Sequence, residues 1–224
     1  MDYTILDNNS LFKGVSEEEI ERLLSTVPHQ MRNYKKGETV FHLMEDASKI
    51  GILLSGRLQA QKPFPNGSQV NVSIFMPGDL VGAAAVFSNR HQYPCDIVSL
   101  DPSTMLLFHR NAVFSLLQKD LRILTNFTTK IATTTYMLQQ RLELLSYNGI
   151  AQKTAFYLLM QQNAIGLNSI PIPESMTKWA LLMNVSRPSL HRELKKLEEE
   201  GILCRHARTI EILDTERLKD LLGM

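Results

Sequence analysis

The residues most able to do chemistry lie in 176–203, MTKWALLMNVSRPSLHRELKKLEEEGIL. At about 100° per residue, a helix beginning at Arg187 places Leu190, Leu194 and Leu197 on one side. Arg192, Lys195 and Lys196 then lie on the other, with Arg187, Ser189 and His191 flanking near the N-terminal end. The guanidinium forks of Arg187 and Arg192 match the paired acceptors O6 and N7 of guanine, while Ser189, Lys195 and Lys196 reach phosphates or neighbouring base edges. The acids Glu198 to Glu200 arrive only in the last turns, where a helix inserted N-terminus first is already leaving the groove. The chemistry this predicts is binding to double-stranded DNA. Two plainer readings compete with it: a solvated face that is merely basic, and a helix pair serving as a non-DNA interaction module.

Such a helix has to be held from behind. A preceding helix over Met176 to Met183 carries Trp179, Leu182 and Met183 as its packing stripe, with Ala180 small where two helices cross closely. Asn184 occupies a turn where a left-handed backbone is expected, a conformation Asn tolerates well. Ser186 is suited to cap the second helix, Arg187 to Glu200, and Pro188 falls in its first turn, where a missing N–H costs little. Leu203 to Arg205 and Thr209 to Leu213 then read as a two-stranded hairpin contributing Arg205, His206 and Arg208 to backbone contacts, and Thr215 to Leu222 as a last helix. Upstream come a helix over Ile150 to Gln162 and a loop holding Gly166, Pro171 and Pro173. Helix, tight turn, helix and hairpin make a winged helix-turn-helix.

The remainder of the chain has another texture. Ser16 to Thr26 reads as a short capped helix, and from Gln30 to about Phe108 short strands alternate with turns, the clearest being Ile50 to Leu54, Val70 to Phe75 and Thr104 to Phe108. Asn66-Gly67 marks a hairpin. This spacing predicts a sandwich, barrel or roll, so the class is α+β. A helix over Asn111 to Lys119 precedes a longer one from Asp120 to about Tyr147, whose Leu124, Thr128, Ile131, Thr135, Leu138, Leu142 and Leu145 recur at alternating spacings of three and four. At 1.5 Å per residue it extends for about 40 Å, so its stripe is expected to meet a second copy of itself, or else to lie on its own sheet. Asn148-Gly149 ends it. The expected domains are 1–119, 120–147 and 148–224.

Composition bounds the function. The 224 residues are 44% hydrophobic and 21% charged with a formal net charge of +1, so a nucleic-acid partner needs a local basic patch. Cys95 and Cys204 cannot build a disulfide framework or a zinc site, and no metal is expected. The N-terminal residues lack the blocks of a signal peptide and no apolar run suits a membrane span, which places the protein in the cytoplasm without a membrane partner. Six histidines occur without HExxH, His-x-His or a GxSxG partner, so an enzyme is not expected.

In order along nearly the whole chain, LFKGVSEEEIERLL, KGETVF, ILLSGRL, NGS, FMPGDLVGA, VSRPSLHREL, LEEEGIL and RTIEILD resemble the cyclic-AMP receptor protein and fumarate-nitrate regulator (Crp/Fnr) family of bacterial transcription factors. The resemblance implies a double-stranded β-helix, the jelly-roll-like β-roll, as sensor, followed by a dimerisation helix and a winged helix. It implies a homodimer on a near-palindromic operator and RNA polymerase as a partner. By the same resemblance Arg187, Ser189 and Arg192 read bases, and Thr177, Ser186, His206 and Arg208 contact phosphates. Pro188 stands where members often carry a Glu that accepts from cytosine N4, so a different half-site is implied.

The sensor cassette, GDLVGAAAVFSNRHQYPCDIV, departs further. Members that bind cyclic nucleotides place a Glu after the Gly of this turn and an Arg-Ser or Arg-Thr pair at its end. Here Ala83 follows Gly82, and the pair is Tyr93-Pro94. Without the paired guanidinium, cyclic AMP in its usual pose is not expected, although Arg90 is a conceivable substitute. Gly82, Ala83, Ala84, Ala85, Val86, Tyr93 and Pro94, with Leu138 and Gln139 of the long helix, suggest a smaller or more apolar effector, or a pocket filled by its own side chains. A redox- or haem-sensing version would use His91 or Cys95. The effector's identity stays open.

Overall fold

The computed structural model describes residue 6, residues 9–64 and 69–223, apart from the side chain of Val72. It divides into two compact units, Met1–Thr134 and Thr135–Met224. Each has its own hydrophobic core.

The first unit begins with helix α1 (Glu17–Ser25), started by a complete capping box: the Ser16 side chain accepts from the Glu19 amide and the Glu19 carboxylate accepts from the Ser16 amide. Ile20 and Leu24 bury its apolar face. Eight strands follow: β1 (Gln30–Tyr34), β2 (Thr39–Phe41), β3 (Lys49–Ser55), β4 (Leu58–Pro63), β5 (Gln69–Phe75), β6 (Leu80–Val81), β7 (Asp96–Ser99) and β8 (Ser103–His109). They form two four-stranded antiparallel sheets, β1-β8-β3-β6 and β2-β7-β4-β5, the jelly-roll-like roll expected. Ile50 to Leu53 and Met105 to Phe108 are buried continuously rather than alternately, as strands covered on both faces are. β4 pairs with β5 from Leu58↔Phe75 to Pro63↔Gln69, and the Asn66-Gly67 turn lies outside the described residues. Between β6 and β7 lies helix α2 (Ala83–Phe87).

Helix α3 (Arg110–Lys119) leads into α4 (Leu121–Ser146). The start of α4 is tied down by charge: Arg122 donates to Glu19 at 2.9 Å, to Asp120 at 2.6 Å and to the Gly14 carbonyl at 3.0 Å. The Arg122 guanidinium, with the Ser16 amide, holds the Glu19 carboxyl down at about 2. Asn126 adds bonds to the Leu11 and Lys13 carbonyls.

The second unit contains α5 (Ile150–Ile165), β9 (Ser169–Pro171), α6 (Met176–Leu182), α7 (Arg187–Glu199), β10 (Leu203–Arg205), β11 (Thr209–Ile212) and α8 (Thr215–Asp220). Two corrections concern its first part. α5 runs three residues past Gln162, to Ile165, where Gly166 in a left-handed conformation closes it. The segment read as loop contains β9, which pairs with β11, so the expected two-stranded hairpin is a three-stranded sheet ordered β10-β11-β9. Pro171 obscured this strand, yet it lies at the end of an edge strand, where a missing N–H is tolerated. Among the described residues no helix is long and apolar enough to cross a membrane.

The β3–β4 turn depends on Gly56, whose φ is +86° and whose added Cβ would lie 2.2 Å from Ser103 Oγ and 2.5 Å from the Pro102 carbonyl oxygen. Gly56→Ala is expected to destabilise the fold by roughly 3 kcal/mol, read as a lower urea midpoint.

Candidate nucleic-acid interface and effector cradle

α6 starts at Ser175, whose side chain accepts from the Lys178 amide at 3.2 Å. Trp179, Ala180 and Met183 are buried and Leu182 packs partly against them. Asn184 adopts a φ of +54°, and Val185 bonds back to the Ala180 carbonyl at 3.0 Å, closing the turn. Ser186 caps α7 by accepting from the Ser189 amide at 3.1 Å, with Pro in the first turn. Leu190, Leu194 and Leu197 are sealed in the core, which leaves Arg187, His191, Arg192, Lys195 and Lys196 exposed. Ser189 is half-buried; its hydroxyl accepts from Ser186 Oγ at 2.8 Å and from Arg192 at 3.4 Å. Thr177 is exposed in the first turn of α6.

The cations differ in availability. Lys195 and Lys196 pair with Glu199 and Glu200 one turn on, at 3.4 and 3.9 Å, on an open face. His206 and Glu211 lie 3.1 Å apart. Arg187, Arg192 and Arg208 have no carboxylate partner among the described residues. Arg205 corrects the sequence expectation of a backbone contact. Its guanidinium is 2.6 Å from the Glu198 carboxylate and its amide donates to that carboxylate at 2.9 Å, so it fastens the wing to α7. The Arg205 guanidinium holds the Glu198 carboxyl below its usual range.

Sequence reasoning missed one supporting residue. Lys153 of α5, only 8% exposed, donates from Nζ to the Met183 carbonyl at 3.1 Å. Met183 is the C-cap of α6, so an ammonium sits where the helix presents unsatisfied carbonyls and the negative end of its dipole. The available signal was a lone lysine inside the apolar run Ile150 to Gln162.

In the first unit, Gly82 has a φ of +86°, and a Cβ there would meet the Lys49 carbonyl oxygen at 3.2 Å, Tyr93 Cε1 at 3.3 Å and Phe41 Cε2 at 3.4 Å. Tyr93, 3% exposed, stacks on Phe41 with centroids 4.4 Å apart. Its hydroxyl donates to the Lys49 carbonyl at 2.6 Å, and burial pushes its pKa up to about 12, so the phenol stays neutral. Gly82 and Tyr93 therefore come together. Ala83, Ala85 and Val86 are buried in the core, whereas Ala84, Arg90 and Pro94 are exposed. Leu138 and Gln139, exposed, belong to the other compact unit. His91 places Nδ1 3.3 Å from the Val86 carbonyl oxygen, and burial pushes the half-buried Cys95 thiol up. Among the described residues no group of three or more His, Cys, Asp or Glu could hold a metal ion.

The cyclic nucleotide-binding domain family matches residues 31–120, and the Crp-like helix-turn-helix domain family matches residues 152–221. The chain is similar to the cyclic AMP receptor protein of Thermus thermophilus, 22% identical over 218 residues that cover 96% of this chain and 98% of that protein. It is also similar to the "probable transcriptional regulator flp" of Lacticaseibacillus casei, 24% identical over 212 residues covering 94% of each. The solved Thermus thermophilus catabolite activator protein shares the fold, with a TM-score of 0.57 and 21% identity over 96% of this chain and 99% of its own.

Lys153→Met removes the charge-assisted bond from α5 to the helix-turn-helix corner. It is expected to weaken DNA binding and to destabilise the unit by about 1–3 kcal/mol, with the salt dependence of binding unchanged because no phosphate contact is lost. Fluorescence anisotropy across a salt series, beside thermal melts, checks both.

Proposed function

The chain belongs to the Crp/Fnr family of DNA-binding transcription regulators, and from that premise we propose that it acts as a homodimer on a near-palindromic operator and that its gating effector is not cyclic AMP in the usual pose. The observation carrying the DNA contact is α7: an apolar face sealed in the core, with Arg192 opposite it and Arg187 on its flank, both exposed and without a carboxylate partner among the described residues. In this reading Arg187, Ser189 and Arg192 read base edges, and Thr177, Ser186, Lys195, Lys196, His206 and Arg208 hold phosphates. Residues 1–119 form the sensor, 120–147 the dimer helix and 148–224 the DNA-binding domain. Two-fold symmetry places the half-sites about 34–36 Å apart. Duplex DNA and RNA polymerase are the partners, met in the cytoplasm.

Pairing is supported by α4, where Leu138 is 57% and Leu142 70% exposed in the single chain, and Leu124 and Leu145 are exposed on the same stripe. A long helix with an open apolar seam is stabilised by a second copy. The effector reading is supported by Tyr93, whose ring packs against Gly82 where a cyclic phosphate would need a guanidinium. A small molecule can then act only through different affinities for two arrangements of the dimer. A redox reading is not favoured, because a half-buried, protonated Cys95 is a poor sensing thiol.

Arg187→Ala and Arg192→Ala are each expected to cost roughly 1–3 kcal/mol of operator binding and to relax base preference, while Lys195→Ala lowers the salt slope by about 1. Gel shifts in which both arginine variants bind as tightly as the parent would sink this assignment. Leu142→Glu is expected to turn a dimer into a monomer in sedimentation; a parent protein that is already monomeric removes the two-fold operator.

A further inference from the structure

A cleft of about 140 Å³ opens in the first unit beside Tyr93, lined by the same Phe41, Lys49 and Tyr93 that surround Gly82. Its rim carries Arg32 and Lys49 together with Glu45 and Asp46, two cations and two anions. Behind them lie Tyr34 and Tyr93, each 3% exposed. Glu45 and Asp46 sit on the connection between β2 and β3 and Lys49 opens β3; the path of the connection is held by bonds to the cassette, Met44 to the Tyr93 carbonyl at 2.9 Å and Ala47 to the His91 carbonyl at 2.8 Å.

The rim charges are not consumed by one another. Among the described residues neither Asp46 nor Lys49 has an ion-pair partner. Arg32 stacks over the Tyr34 ring at 4.8 Å and meets Glu38 only at 3.4 Å on an exposed face, a contact of small worth. Glu45 uses one oxygen to accept from the His42 amide at 3.1 Å.

We propose that this cleft binds a small zwitterion of the free α-amino-acid class, with its carboxylate toward Arg32 and Lys49 and its ammonium toward Glu45 and Asp46. The rim carries no net charge, so a simple anion or cation would use half of it and be repelled by the other half. A molecule bearing both charged groups on one carbon uses all of it, and the cleft's volume suits one of that size. Because Tyr93 lines the cleft and also packs against Gly82, an occupant would touch the ring that fills the cradle. The regulatory consequence, a changed affinity of the dimer for its operator, rests on the sensor reading above. The binding itself does not.

The test uses the full chain. Calorimetric titration with each of the protein amino acids in turn, beside propionate and ethylamine as half-molecules, is expected to give saturable heat with at least one neutral amino acid and none with either half. Lys49→Met and Asp46→Asn are expected to weaken that binding by roughly tenfold or more, and Glu45→Gln, which keeps an acceptor for the His42 amide, likewise. Operator affinity without amino acid should be unchanged in all three variants, which shows that they fold. Absence of saturable binding up to about 10 mM, equal binding of a half-molecule, or indifference to the variants overturns the site. Saturable binding that leaves operator affinity unchanged overturns its regulatory part. Loss of operator binding by the parent protein would instead indict the DNA-binding reading.

Discussion

The burial of Leu190, Leu194 and Leu197 is the constraint on which the DNA-facing surface depends. These side chains lie on one side of a helix of 13 residues, and their removal from water fixes its rotation. Burying each is worth about 1.5–3 kcal/mol. No surface ion pair on this helix approaches that, so hydrophobic sealing decides the rotation and the arginines are displayed as its consequence. The cap at Ser186 and the left-handed Asn184 then decide where the helix starts. Lys153 holds the preceding helix end from behind, and Arg205 ties the wing to the far end through Glu198.

The sensor cradle obeys a different constraint. Where related cassettes hold an anion with a guanidinium, this one buries a phenol, and the two choices are not interchangeable. A neutral Tyr93 can be packed against Phe41 and Gly82 at the expense of one hydrogen bond, which the Lys49 carbonyl accepts. A phosphate brought to the same place would displace a stacked pair.

How much of this could be read from the chain follows from the range of the interactions. The helix-turn-helix was legible because every signal in it is local: a leucine period, a capping serine, a proline in the first turn, an Asn at the corner. The β-roll was legible as a class through its turn spacing, and the β4–β5 and β3–β8 partners needed coordinates. β9 was missed since a three-residue strand ending in Pro carries no period. Lys153 and Arg205 were missed or misassigned because their partners, Met183 and Glu198, are chosen by tertiary packing and by a turn of chain that sequence does not orient. Tyr93 was seen as a substitution, yet only its contact with Gly82 and Phe41 reveals that it fills space.

Magnitudes also decide which cations of the C-terminal unit are free to meet phosphates. The Lys195–Glu199 and Lys196–Glu200 pairs are exposed and spaced one helical turn apart, where such contacts are worth about 0.3–0.5 kcal/mol and weaken further in salt. A duplex carries one charge per roughly 1.7 Å of its axis and releases condensed counterions when a lysine binds. That exchange outweighs the loss of either intrahelical pair, so both lysines remain available. Arg205 differs in kind. Its partly buried guanidinium and its amide both bond Glu198, and pulling it out would leave a half-buried carboxylate without its partners. It therefore stays on the protein and holds the ribbon in place, while Arg208, within the hairpin bend, has no ion-pair partner among the described residues.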